Sequence, residues 1–326
     1  MNHCVKLVLG LAATLACLAG SPAFAQSAWP SKPITYVVPY PPGGTTDILG
    51  RAIAQRLSAV LGSPVIVENK AGATGTIGGA LVARAAADGY TLLGTSIGPQ
   101  AIVPHLMTKL PYDAARAYEP VSLVGTVPHV LVVGAASGIA SVQDLVAALR
   151  AAPGTLTFAS GGNGTILQMQ GELLKQQLGV DAVHVAYKGD SPAVQDVMSG
   201  QAHFMFAPVT AILPLVQAGR LKALAVTSSA RLRGLPKVPT MAEAGIRDFV
   251  VEQWQAVYAP AGTPRAIVDR LHREITRALH DPSIAASLEN LGVVVVAGSP
   301  DELAQRQRED FERWGKVIRS AGIRID

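Results

Sequence analysis

The sequence predicts an α/β fold on three observations. Short apolar, β-branched runs alternate with segments of helical period from Ile34 almost to the end of the 326 residues. Several runs are apolar at every position, as parallel strands covered on both faces should be. Glycine-rich turns follow several of these runs, so polar loops are expected at the strand ends, where open α/β sheets bind ligands.

A leader precedes the first strand. Residues 1–6 carry Lys6, residues 7–20 are apolar, and Ala23-Phe24-Ala25 has the small-x-small pattern of a signal peptidase site. This reads as a secretory signal over residues 1–25, cleaved after Ala25. Its apolar stretch is shorter than the roughly 20 residues a membrane span needs. Thr14 stands where a lipidation signal before Cys17 would have an aliphatic residue. Both cysteines, Cys4 and Cys17, lie in the leader, so the exported chain is expected to hold itself by its core alone.

Strands are predicted over residues 34–38, 65–67, 91–93, 131–133, 156–159, 183–186, 204–207, 223–227, 256–259 and 293–296. Capping pairs at the expected spacing mark helix starts: Ser141 with Asp144, Thr240 with Glu243, Ser299 with Glu302. Thr263-Pro264 and Ser299-Pro300 place a cap residue before proline at the first helical position. A last helix is expected over residues 300–321, packing Phe311, Trp314 and Ile318 on one face and ending at Gly322. The stretch 121–132 is nearly all apolar and too long for one ordinary strand. It and residues 253–260 are read as two crossings between lobes. They give a discontinuous first lobe (26–127 plus 253–326) and a second lobe (128–252).

Composition excludes several function classes. The chain is 49% hydrophobic and 15% charged, as globular proteins are. Its 27 Lys and Arg against 23 Asp and Glu give +4, and loss of Lys6 leaves 26 against 23. No run of basic residues supports nucleic-acid binding. Gly43-Gly44 is followed by Thr45-Thr46-Asp47 and no P-loop lysine, while Gly72, Gly75 and Gly78 are spaced G-x-x-G-x-x-G, which is not the dinucleotide pattern. Ser160 lacks the first glycine of G-x-S-x-G. His105, His129, His184, His203, His272 and His280 form no metal-ligand motif, and no nucleophile has an evident base. No catalytic residue, metal or cofactor is expected.

What remains is a set of four glycine-rich turns that aim backbone N–H groups and short hydroxyls. Unpaired N–H groups and the helix dipole at such turns favour an anion. Thr45, Thr46, Thr74, Thr76, Ser96, Ser160 and Thr165 add donors that need no charge, so a carboxylate is within reach of this chemistry. Asp47 reads as the cap of the helix behind the first turn rather than a ligand contact. Tyr187 ends a strand where it can close over a ligand, and Trp254 reads equally as a buried hinge residue.

Five stretches occur in order: WPSKPITYVVPYPPGGTTDILGRAIAQRL, VENKAGATGTIGGALVARAAADGYTLL, HVAYKGDSPAVQDVMSGQAHFMF, LKALAVTSSARLRGLPKVPTMAEAG and PAGTPRAIVDRLHREITRAL. Together they resemble the Bug family, the extracytoplasmic solute receptors of tripartite tricarboxylate transporters, from about residue 29 to 322. The resemblance implies a periplasmic binding protein of type II-like architecture, two α/β lobes with mainly parallel sheets, helices on both faces and a ligand cleft between the lobes. It implies a monomer that holds a small carboxylate by backbone, hydroxyl and bridging water. The partner would be the membrane subunits of such a transporter, or a membrane sensor; an exported hydrolase or isomerase of small carboxylic acids is the alternative. Lobe one would contribute Pro42, Gly43, Gly44, Thr45, Thr46, Ala73, Thr74, Gly75, Thr76 and Ser96. Lobe two would contribute Ser160, Gly161, Asn163, Gly164, Thr165, Tyr187 and Ala207. Three departures from the family pattern stand out: Thr74 in the second loop, Gln168 where a histidine is usual, and Ala207-Pro208 where an aspartate often ends the strand. Without that acid, a plain mono- or dicarboxylate is expected rather than an amino acid.

Overall fold

The computed structural model describes residues 29–290 and 292–325. The expected leader with its expected cleavage after Ala25, and both cysteines, lie outside the described residues. The described residues fall in two units, one reaching Ser31 and the other beginning at Lys32. The described part of the first, residues 29–31, includes a cis peptide before Pro30.

The second unit opens with β1 (Ile34–Val38), α1 (Thr45–Leu61), β2 (Val65–Asn69), α2 (Thr76–Ala83) and β3 (Thr91–Ser96). The strands lie in the order β2-β1-β3, all parallel, as helix-linked strands do. A π-helical turn (Gly98–Ile102) and the short α3 (Val103–Leu106) lead to β4 (Tyr118–Gly134). The apolar stretch that looked too long for one strand is a single strand of 17 residues. Next come α4 (Val142–Ala151), β5 (Thr157–Ser160), α5 (Ile166–Leu178), β6 (Val183–Ala186), α6 (Asp190–Ser199), β7 (Phe204–Pro208), α7 (Val209–Gln217) and β8 (Leu221–Val226). The chain returns through β9 (Glu252–Pro260) and closes with α8 (Arg265–Leu279), α9 (Pro282–Asn290), β10 (Val294–Gly298) and α10 (Pro300–Ala321).

One strand serves two sheets. From Tyr118 to Pro128, β4 pairs with β9; from His129 to Gly134 it pairs with β7 and β8. Among the named strands of the described residues, β1-β2, β1-β3, β5-β6 and β5-β7 pair in parallel, and every pair made by β4 or β9 is antiparallel. The reason is topological. A strand that leaves one sheet and a strand that comes back beside it must run in opposite directions.

The continuous apolar sequence of β4 is explained by cover: eight of its residues from Val121 to Val133 are buried hydrophobics, and α8 and α10 pack against it. Trp254, Trp314, Tyr258, Phe158, Phe204, Phe206 and Phe249 are fully buried, each ring stabilising by roughly 2–3 kcal/mol. α10 also touches the π-helical turn and α5, so it lies along both sheets. Its cap is as expected: Ser299 and Glu302 form a reciprocal capping box, Pro300 follows, and Gly322 ends it with φ 65°.

Two predicted starts differ. Thr240 and Glu243 exchange hydrogen bonds, but they head a turn that Gly245, at φ 87°, brings to an end. Thr263 gives its hydroxyl hydrogen to Pro260, so α8 is preceded by Pro264 rather than capped by Thr263.

Candidate functional site

The loops after β1, β2 and β3 are built together. α1 is preceded by Gly44, so Asp47 is not the cap; it is the third helical residue, and its carboxylate reaches back to the Gly43 N–H at 2.9 Å. Asp47 also accepts from Arg51 at 3.0 Å and Asn69 at 2.9 Å. Burial works to raise its pKa, but Arg51, the Gly43 N–H and Asn69 together hold it below the usual carboxylate value. Asn69 donates to the Tyr40 carbonyl as well, which ties β2 to the loop after β1. Tyr40 and Ser96 share a hydrogen bond of 2.8 Å. Burial pushes the Tyr40 phenol up to about 12, opposed by bonds from Ser96 and Thr95.

The second loop carries unusual backbone. Ala73 (φ 44°) and Thr74 (φ 53°) occupy the left-handed region, which a β-branched residue rarely adopts. Gly75, at φ 90°, sits where a Cβ would come within 2.7 Å of Pro99. The Thr76 hydroxyl donates to the Ala73 carbonyl at 2.9 Å and closes the turn.

The loops after β5 and β6 form a second cluster. Tyr187 N–H donates to Ser160 and Gly189 N–H to Gly161, so the two loops run side by side. Gly161 leaves room for the Asp190 carboxylate, which a Cβ there would force to shift. Burial raises the Asp190 pKa. Thr165 caps α5 and gives its hydrogen to Gly162, while Gln168 accepts from the Gly164 N–H at 2.8 Å. Tyr187 is turned to Asp196 at 2.7 Å, and burial and that carboxylate push its phenol up to about 12.

Sequence reasoning missed one contact here. Ser160 Oγ lies 2.6 Å from His184 Nε2, which corrects the expectation that no hydroxyl has a base at hand. The two residues sit on neighbouring parallel strands, and no sequence spacing signals such a pair. Burial first, and then Lys175, lower the His184 pKa to about 4. The Ser160 hydroxyl also contacts the Gly162 carbonyl at 3.0 Å and accepts from the Gly162 N–H. Among the described residues no carboxylate bonds the second ring nitrogen of His184, so the pair lacks the third member of a nucleophile-base-orienter chain.

Most expected hydroxyl donors are therefore engaged within the protein: Thr46 with Gln255 of β9 at 2.8 Å, Thr76, Ser96, Ser160 and Thr165 as above. Thr45, Thr74 and Asn163 make no side-chain hydrogen bond among the described residues. Ala207 is fully buried on β7 beside Val130. Pro42, Gly43, Gly44 and Asn163 are exposed. The two clusters stand on separate sheets, and among the described residues no hydrogen bond joins them. Gly164 lies against α3: a Cβ there would come within 3.0 Å of Leu106. Two cavities lie elsewhere: one of about 450 Å³ between α4 and the segment 237–244, and one of about 330 Å³ between Tyr118 and α10.

The profile described as tripartite tricarboxylate transporter family receptor matches residues 49–323, most of the chain. The chain belongs to this receptor family. Relatives agree: Protein BugT of Bordetella pertussis is 38% identical over 298 residues, covering 91% of each chain. The UPF0065 protein of the tcbD-tcbE intergenic region of a Pseudomonas strain is 42% identical over 292 residues, 89% of this chain and 87% of that one. Among solved structures, an R. palustris protein with adipate is 35% identical, with a TM-score of 0.82 over 91% of this receptor and 99% of that chain. The periplasmic binding protein BugD gives 32% and 0.79 over 91% and 99%. MatC from Rhodopseudomonas palustris, with bound malate, gives 32% and 0.79 over 89% of this receptor and all of that chain. The fold of the receptor is the two-lobed one of periplasmic binding proteins.

Proposed function

We propose that this receptor captures a small carboxylated organic acid in the periplasm by lobe closure and delivers it to membrane subunits of the tripartite tricarboxylate type. The observation that carries the reading is the likeness, over nine-tenths of the chain, to receptor structures holding adipate and malate. The chemistry of the loops supports it. The first turn of α1 leaves N–H groups without helical acceptors, its dipole favours an anion, and the hydroxyls of the half-buried Thr45 and Thr74 are unengaged. Closure follows if contacts to both clusters are made only when the lobes meet, which shifts the open-closed equilibrium toward the closed form. No catalytic step belongs to this reading; the family is one of receptors.

On this reading the lobes are residues 26–127 with 253–326 and residues 128–252, hinged where β4 passes from β9 to β7. The exported chain begins after Ala25 and acts as a monomer. Site residues come from Pro42 to Thr46, Ala73 to Thr76 and Ser96 on one side, and from Ser160 to Thr165 and Tyr187 on the other.

A thermal-shift panel tests it, since a ligand that binds only the native state raises the melting temperature. The panel holds acetate, succinate, malate, adipate and benzoate beside aspartate and glutamate. A concentration-dependent rise with at least one plain carboxylate is expected. No rise with any acid ends the receptor reading, and a rise with the amino acids alone ends the preference for plain carboxylates.

A further inference from the structure

Gln255 of β9 stands directly across from Ser96 of β3, so both side chains project from one face of the sheet. The loop after β1 covers that face. Tyr40 bonds Ser96, and the Thr46 hydroxyl gives its hydrogen to Gln255 Oε1 at 2.8 Å. Gln255 is only 2% exposed, yet its Nε2 has no hydrogen-bond partner among the described residues. Since Thr46 fixes the oxygen of the carboxamide, the nitrogen on the same carbon is fixed beside the first turn of α1.

A carboxamide nitrogen carries two N–H donors, and a buried donor without an acceptor costs about 1–3 kcal/mol. A methionine or leucine would fill the same volume without that cost. The side chain therefore makes sense as a donor to an acceptor from outside the chain. Its surroundings specify the acceptor. Helix α1 points its N-terminal N–H groups and positive dipole end here, which favours an anionic oxygen. The Asp47 carboxylate close by is engaged by Gly43, Arg51 and Asn69 and does not compete.

We propose that Gln255 is a ligand-positioning residue, whose amide N–H donates to a carboxylate oxygen held at the start of α1 while Thr46 holds the other end of the amide. The proposal rests on the receptor reading above, and it adds a residue of the crossover strand to a site otherwise built from loops.

Calorimetry separates the two. Wild-type receptor is titrated with whichever acid of the panel binds most tightly, beside Gln255→Met and Gln255→Glu, with the ligand-free melting temperature of each. The Met variant should melt near or above wild type and bind about tenfold to a hundredfold more weakly, the loss of a hydrogen bond to a charged group. The Glu variant should bind weakly at pH 8 and regain affinity toward pH 5, because a protonated carboxyl again offers a donor; wild type measured over the same range provides the baseline. A Met variant that folds and binds with unchanged affinity overturns the proposal. If that variant fails to fold, a Glu variant whose pH profile parallels wild type overturns it instead. Absence of binding by wild type itself is the distinct result that removes the receptor reading, and this proposal with it.

Discussion

The Trp254 indole donates to Asp310 across 2.8 Å, joining the returning strand β9 to the C-terminal helix α10. Arg306 bonds the same carboxylate oxygen at 2.9 Å, and Trp254 and Asp310 are both buried. Removing the acceptor strands an indole N–H in the core and takes the partner from Arg306. Asp310→Ala should cost about 2–3 kcal/mol of folding stability, read from urea denaturation. Asp310→Asn retains an acceptor and should cost clearly less. Equal losses in the two variants would mean that the hydrogen bond is not what matters there.

Asp47 organises the loop after β1 and should shape the acid limb of stability. Burial raises its pKa, but Arg51, the Gly43 N–H and Asn69 bring it below the ordinary value of 3.8. A carboxylate depressed in the folded state contributes stability above its unfolded pKa and loses it as pH falls through the folded one. Asp47→Asn should therefore be less stable than wild type at pH 7, with the difference shrinking below about pH 4. Melting temperatures from pH 7 to pH 3 test this, and a gap that stays constant to pH 3 would contradict it.

Much of this fold is local, and what is local was readable. The apolar runs of β1 and β6 and the whole of α10, from Ser299 to Gly322, fall where the pattern placed them because each is decided within a few residues. Pairing direction is not local: nothing near Thr126 reveals that Trp254 will lie antiparallel beside it. Contacts at the site share that limit. Ser160 meets His184 across 24 positions and Thr46 meets Gln255 across 209, so hydroxyls that read as free donors prove to be engaged. Thr240 shows the converse. Its capping pair is local and correct, but a glycine at φ 87° five residues on stops any helix.

The turn at Thr74 should be improvable. A non-glycine residue in the left-handed region costs about 1–2 kcal/mol relative to its usual conformations, and glycine returns part of that through a more flexible unfolded chain. Thr74→Gly should raise stability by up to about 1 kcal/mol in urea denaturation. If the Thr74 hydroxyl also contacts the ligand, the same variant should bind its acid more weakly, so stability and affinity move in opposite directions. A destabilised Thr74→Gly would show that the side chain supports the turn despite its φ of 53°.

His129 sits where β4 passes from one sheet to the other, fully buried, with Nδ1 2.9 Å from Gln170 Oε1 and no partner for Nε2 among the described residues. Burial lowers its pKa to about 4, against smaller opposing effects from Gln170 and Gln253. Between about pH 6.5 and pH 4 the unfolded chain binds a proton at this position and the folded chain does not. Stability must then fall as pH drops through that window, by as much as about 3 kcal/mol for this residue. His184 titrates in the same direction, also to about 4, and adds to the slope. His129→Asn should be less stable at pH 7.5 through loss of fit and the Gln170 bond, yet lose less between pH 6.5 and pH 4 than wild type. Urea midpoints at four pH values across the window measure both, and parallel slopes for the two proteins would show that His129 does not carry the acid sensitivity.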